Sequence, residues 1–461
     1  MKPRNVLPDM LRLRPIVAAL ALALSSPITA PHVFAATLSA QSEHRPASII
    51  VANCNDSGPG SLRDAVSSAV SGDMVDLSSL NCSTITLTSG QIEIPQDDLY
   101  LKYSGEGGTP PTIAANLSSR VFHHSGSGTL RLVGLTITQG KYDNTNAYQA
   151  VPASGGCIYS AGNVYLGGST VTGCEAKDTR GEDAAGGGVY TVQSLTLFHS
   201  IVSGNSATST ARFASGGGAF AHSALDIEYS SVSRNVASGL GGANVGGGIE
   251  VVNTGRGLST IANSTIDGNR ADIGGGLMIS GSGNMGASVF VKNSTISGNT
   301  ANHYAAAAYF RGPVTLANST IAFNQSASGP AIELASHTDP VDFESTILAN
   351  NGNYALGDQG FALTITGANN LVVGVTSSIL LPPDTISVDP MLQPLADNGG
   401  PTRTHALGDG SPAIDSGNNI AGLAVDQRGN GYPRVFGAAA DIGAFERQST
   451  GDTIFADGFD P

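Results

Sequence analysis

Tryptophan is absent from this chain of 461 residues, and charge is scarce: Lys and Arg number 22, Asp and Glu 36, together 13% of positions. The shortage of cations leaves a net charge of −14 and no basic stripe. That excludes the electrostatic footprint of a nucleic-acid binder. Long apolar runs are missing too. The stretch 16–24 has nine apolar residues, too few to span a bilayer. Nor is there the series of ten-residue alternating segments that an outer-membrane barrel needs. Cysteine is limited to four residues with no C-x-x-C spacing and no nearby His pair, so zinc is not expected. Histidines are scattered, only His123 and His124 being adjacent, and no transition metal is suggested. No cofactor is implied. What is abundant is Gly, at 60 residues, with Ser, Thr and Asn, a composition suited to β-coils with tight turns.

A short phrase with a central Ile or Val recurs eight times, centred on Ile137, Val171, Val202, Val232, Ile266, Ile296, Ile321 and Ile347. The steps are 34, 31, 30, 34, 30, 25 and 26 residues. Such a period marks a stacked repeat array. Helical repeats are excluded because no 3.6-residue apolar spacing lies between the phrases. A run of small residues before each phrase leads into a short apolar strand, as at Gly186 and Gly246, and a third strand-like stretch follows, as at Leu195 and Leu225. Three strands per period predict one rung of a parallel β-helix, each rung pairing its neighbours at about 4.8 Å.

Asn stands three residues after the central aliphatic at Asn205, Asn235, Asn269, Asn299, Asn324 and Asn350. It stands three before at Asn263, Asn293 and Asn318, each within N-S-T. Repetition at one point of the rung predicts turn-forming Asn ladders in preference to glycosylation acceptors.

The ends differ from the middle. Lys2, Arg4, Arg12 and Arg14, the apolar run 16–24 and Val33-Phe-Ala35 read as a secretory signal over residues 1–35. The mature chain is then exported, with no membrane span. Four Cys in an exported chain suggest pairing, with three connectivities open; Cys54–Cys82 and Cys157–Cys174 are favoured.

Residues 49–140 resemble the CSLREA domain, through Val51-Ala-Asn-Cys-Asn-Asp, Gly60-Ser-Leu-Arg-Asp-Ala and Gly72-Asp-Met-Val-Asp-Leu. Gly60 replaces the first Cys of that motif. Here Ser61 is expected to cap a short helix that plugs the rod. Residues 387–446 resemble the choice-of-anchor Q family, through Asp389-Pro, Asp397-Asn-Gly-Gly-Pro-Thr, Ser411-Pro-Ala-Ile-Asp-Ser-Gly, Asp426-Gln-Arg-Gly and Asp441-Ile-Gly-Ala-Phe-Glu. The repeats are similar to those of polymorphic outer-membrane proteins, with Val or Ile for the Phe of their F-x-x-N motif. The tail, residues 447–461, ends in Thr453-Ile-Phe-Ala-Asp-Gly-Phe-Asp-Pro, which resembles short tails ending in D-G-F-E on exported proteins of some Gram-negative bacteria. These resemblances imply a right-handed, pectin-lyase-like parallel β-helix over residues 141–380, all-β, with an N-terminal cap and a C-terminal module. They imply a bacterial surface or secreted protein with no established catalysis. Asp389, Asp397, Asp415, Asp426 and Asp441 fit turn and cap roles.

An adhesive or carbohydrate-binding protein is the first functional expectation, its partner a polysaccharide or a host or neighbouring cell surface. Alternation in the strand after each small-residue run points Val189, Ala219, Ile249 and Leu277 inward. The residues between them then form an outward column: Tyr159, Tyr190, Phe220, Glu250, Met278, Tyr309 and Glu333. Repeated rings at one register suggest a sugar-stacking face, unless the inserts 141–153 or 177–185 fold over it. The competing class is a polysaccharide lyase or glycoside hydrolase. Its acid–base groups would come from Asp226, Glu228, Glu250, Asp267, Arg270 and Asp272 on successive rungs.

Overall fold

A computed structural model describes residues 45–105, 108–144, 152–253, 257–281, 287–335 and 339–448. The proposed leader, residues 1–35, and the tail beyond 448 lie outside them.

One rung shows why the sequence coils. Ile158–Ser160, Asn163–Gly167 and Thr170–Thr172 are short strands separated by two-residue turns. At the second turn Gly168 takes φ +55°, a left-handed corner that costs glycine little. In each strand every second residue is buried, so one face of every strand points into a common core. The strands stack in parallel on their counterparts one period away. Those of Asn163–Gly167 form a twelve-stranded sheet, those of Thr170–Thr172 an eleven-stranded sheet, and those of Ile158–Ser160 a ten-stranded sheet. We call these sheets A, B and C. Twelve strands at about 4.8 Å make a rod roughly 50 Å long. The chain is therefore an all-β parallel β-helix.

The core is columnar. Ile137, Val171, Val202, Val232, Ile266, Ile296 and Ile321 are paired in one file in sheet B and are fully buried. The eighth member is Leu348, not Ile347: Leu348 pairs with Ile321, and Ile347 pairs with Thr320 on the outer face. The Asn ladder shifts with it. Nδ2 of Asn205, Asn235, Asn269 and Asn299 donates to Oδ1 of the next Asn at 2.9–3.0 Å, and Asn324 donates to Asn351, not Asn350. Asn350 takes the left-handed corner at φ +56° instead. A serine ladder runs beside it, with backbone N–H groups of Ser169, Ser200, Ser230, Ser264 and Ser294 donating to the hydroxyl one rung on.

Three strands per rung fall short in the middle of the rod. After sheet B the chain leaves the core as Glu175–Asp178 and returns as Ala184–Ala185. Their equivalents stack into seven- and three-stranded sheets. The apolar contact between these two layers is made by small side chains, Ala153, Ala184, Ala207, Ala214, Ala237 and Ala271, with Tyr142 at one end and the Asn144–Asp178 hydrogen bond buried beside them. Methyl groups let the layers approach closely, and the result is a thin fin standing beside sheet C.

At the N-terminal end Ser61 caps the helix Leu62–Ser68 by accepting from the Asp64 N–H, and Asp64 accepts from the Gly60 N–H. Leu62, Ala65 and Val66 are buried with the first rungs. Cys54–Cys82 and Cys157–Cys174 are both disulfides. Residues 387–448 lie against the outer face of sheet B. Ile347, Ala349 and Leu371 of the rod pack there with Leu407, Ala413, Ile442 and Phe445. Asn263, Asn293 and Asn318 take φ of +45° to +50° and are buried beneath this module. Asn293 and Asn318 donate to the carbonyls of Val425 and Asn418. Its aspartates close turns: Asp389, Asp397 and Asp426 accept from the N–H two residues on, Asp415 from Ala438 and Ala439, and Asp441 from Asp415 and Arg447. Among the described residues no helix is long and apolar enough to cross a membrane.

Candidate functional site

Strand pairing sets Tyr159, Tyr190, Phe220, Glu250, Met278, Tyr309 and Glu333 side by side on the outer face of sheet C, one per rung. The column begins earlier than the sequence pattern suggested. Glu93 and His123 precede Tyr159 in the same register, and Glu93 Oε2 lies 2.6 Å from Nδ1 of His123. His123 stands one period ahead of Tyr159, a signal hidden because no small-residue run introduces it. The rings stack along the rod. Tyr159 and Tyr190 have centroids 5.5 Å apart, and Tyr190 and Phe220 5.1 Å, both within 5° of parallel.

The fin decides how much of this column meets solvent. Arg120 lies 3.4 Å above the Tyr142 ring on the fin and 5.4 Å from the Tyr159 ring, and donates to the Ser154 carbonyl. Tyr304, at the fin's far end, sits 6.3 Å from Tyr309. Tyr159, Tyr190, Met278 and Tyr309 are half-buried, and Phe220, Glu250 and Glu333 are buried. The described parts of the inserts thus meet the column as paired strands, residues 145–151 lying outside the described residues.

Burial changes the chemistry of the polar members. Desolvation pushes the Glu250 carboxyl up to about 7 against one opposing hydrogen bond from Ser215. Its Oε2 has no partner. Glu333 is likewise raised to about 7 by burial, with Asp358 adding to the shift. The Tyr190 hydroxyl, 2.8 Å from Nε2 of His222, is pushed up to about 12 by desolvation and by Tyr159 and Glu250. Around neutral pH Glu250 and Glu333 each pass from neutral to charged, whereas Glu93, lowered against its desolvation by Gln91 and His123, stays ionised at the other end of the column.

The acid–base candidates do not come together. Asp226 and Glu228 are on the outer face of sheet A, and Glu250 is on sheet C. Asp267 is on sheet B, bound to Arg403 of the C-terminal module, and burial raises its carboxyl despite that cation. Arg270 and Asp272 are on the fin, both beside Asn302. Among the described residues no group of three or more His, Cys, Asp or Glu is placed to hold a metal ion.

Comparison with known proteins adds little to this geometry. No family model matches the chain, and no curated protein does. The crystal structure of pectate lyase Pel9A is similar over 88% of this chain and 97% of that one, with 14% identity and a TM-score of 0.44, too distant to carry any functional argument.

Proposed function

We propose that this is an exported, non-enzymatic β-helix of a bacterial surface or secretion that attaches to carbohydrate or to a neighbouring cell surface. The observation that carries the reading is the in-register ring stack Tyr159–Tyr190–Phe220. Rings stacked along the rod cover one another's faces and present a continuous ridge of aromatic edges and hydroxyl tips, against which a saccharide chain can pack and hydrogen-bond. The half-buried tyrosines keep one edge available, while Glu250 and the fin close the other side. The resemblances of residues 49–140 to the CSLREA domain and of 387–446 to choice-of-anchor Q regions support the same assignment, since they imply exported proteins without established catalysis.

A second reading is kept by one observation, the Glu250 carboxyl at about 7 beside the ring row. A protonated carboxyl near a bound sugar is the proton donor of a hydrolase. One experiment separates the two. The purified chain is incubated with a panel of immobilised polysaccharides, and both retained protein and newly released saccharide ends are measured. Retention that Tyr159→Ala and Tyr190→Ala weaken, with no new ends, supports attachment. New ends that Glu250→Gln abolishes would establish the enzyme. No retention and no new ends defeats both.

A further inference from the structure

A second ring-lined surface lies on the outer face of sheet A, away from the sheet C column. Tyr100, Arg131 and Tyr165 occupy one register there, and Gly167 and Phe198 occupy the next outward register. With His199 at the corner they line a cleft of roughly 470 Å³. Gly167 makes the hollow. A Cβ at that position would meet the Tyr165 ring at 2.9 Å and the Val133 side chain at 3.1 Å, so any larger residue would lift the ring off the sheet.

The corner residues give an independent sign of specialisation. His199 and Tyr229 both have φ +48°, the left-handed position that Gly168 holds one rung before them and Asn263 one rung after. Bulky aromatics are disfavoured there, by a cost on the order of 1 kcal/mol or more. Their rings nevertheless stack at 4.9 Å, and Phe198 meets the edge of His199 at 4.5 Å. Further along, where the C-terminal module covers the corner, the residues are Asn263, Asn293 and Asn318. Of the two corner rings, Tyr229 lies against Gly429 of the module, and His199 one rung earlier is open to solvent. Phe198 and His199 are exposed.

Charge narrows the occupant. In a chain of net charge −14, no carboxylate among the described residues lines this cleft. Arg131 is exposed and lies 5.2 Å over the Tyr165 ring. Lys102 pairs with Val133 on the N-terminal side, and Asp226 and Glu228 begin only beyond Thr196 and Phe198 on the other. Tyr100 and Tyr165 are two rungs apart, roughly 9–10 Å along the rod. We infer that this cleft binds a carboxylated saccharide, whose pyranose faces lie on Tyr165 and Phe198 and whose carboxylate pairs with the Arg131 guanidinium. A planar guanidinium reads a carboxylate through two parallel hydrogen bonds, and the apolar C–H face of a pyranose suits an aromatic ring.

The test uses the full chain and two probes that differ only at C6: a β-1,4-linked glucuronate hexamer and cellohexaose. Calorimetric titration is expected to show the uronate binding at least about tenfold more tightly, an advantage that fades as salt rises. Tyr165→Ala and Phe198→Ala are expected to weaken it about tenfold. Arg131→Gln is expected to erase the difference between the probes and leave their residual affinities equal. The three side chains lie outside the core, so unchanged thermal melts should accompany these losses. Leu240→Ala, an exposed residue that belongs to neither surface, is the control, and Tyr190→Ala reports separately on the sheet C row. Binding lost in Tyr190→Ala but kept in Tyr165→Ala would overturn the cleft and leave the attachment reading standing. Absence of binding by either hexamer, or equal binding of both by the unmodified chain, overturns the inference.

Discussion

The Thr295 hydroxyl donates to Oε1 of Gln427 at 2.6 Å, across 132 positions of sequence. The Gln427 amide group in turn donates to the hydroxyls of Thr265 and Thr402 and to the Arg403 carbonyl. One buried side chain thereby ties the C-terminal module to two successive rungs. Without it, several buried polar atoms lose their partners, each at a cost of about 1 kcal/mol or more. Gln427→Ala is expected to lower stability by about 2–4 kcal/mol. Thr295→Val, which removes one donor, should cost about half as much. Urea unfolding checks both: the midpoint should fall with little change in slope. Equal midpoints for Gln427→Ala and the unmodified chain would mean that the module is held by its other contacts and that Gln427 adds nothing to them.

The Asn ladder should behave as a unit. Asn269 donates to Val232 O and Asn299 Oδ1, and its own Oδ1 accepts from both the backbone and the side chain of Asn235. Asn269→Ala is expected to cost about 3 kcal/mol, because it removes four hydrogen bonds in a buried site and leaves the Asn235 backbone N–H without its acceptor. The freed Asn235 amide should also exchange faster with deuterium than its neighbours. Unchanged protection at Asn235 would contradict the ladder.

How much of this was legible in the sequence follows from periodicity. The file Val202, Val232, Ile266 and Ile296 is announced by alternation and by the Asn that follows, because each rung repeats one physical requirement. The reading slipped by one at Ile347, where Ile347-Leu348 and Asn350-Asn351 present both registers and only pairing decides between them. The fin was illegible. Its strands bury Ala176, Ala207 and Ala237, residues too small to give an apolar period. The docking of residues 387–448 on sheet B was hidden for another reason: its bonds join positions far apart in sequence, such as Asn418 with Ser345, 73 apart, and with Asn318, 100 apart. The sheet C column could be read because one strand register repeats. The sheet A cleft could not, since Tyr165, Gly167 and His199 sit in different registers and meet only in space.

The Cys157–Cys174 bridge closes a short loop, with a sequence separation of 17, at the edge of the ladder. Cys174 holds the place of the ladder's next Asn, its N–H donating to Asn205 Oδ1. Closing a loop of this length removes chain entropy worth about 3 kcal/mol. Replacing both cysteines by Ala is expected to cost that amount, read by denaturant midpoint without reductant. With reductant present the gap between the two proteins should close by this bridge's share. A variant as stable as the parent under oxidising conditions would show that the bridge adds nothing beyond its packing.

Glu250 gives the rod a dependence on pH whose sign is opposite to that of a salt-bridged carboxylate. Its folded pKa of about 7 lies above the ordinary carboxyl value of 4.5, because burial penalises the charged form. The folded state therefore holds the proton more tightly than the unfolded chain. The stabilising contribution is complete below about pH 4.5 and is lost as pH rises through about 7. The whole shift corresponds to at most about 3 kcal/mol. Glu333 and Glu446 are raised to about 7 as well, so they share the slope. Glu250→Gln keeps the shape and the Ser215 contact while removing the titration. It is expected to match the parent at pH 5 and to be more stable at pH 8.5, by up to about 3 kcal/mol. Melting temperatures of both proteins across pH 5–8.5 decide it. Parallel curves would place the Glu250 proton outside the folding equilibrium; curves that converge at low pH and part above 7 would confirm a buried neutral acid at the end of the ring row.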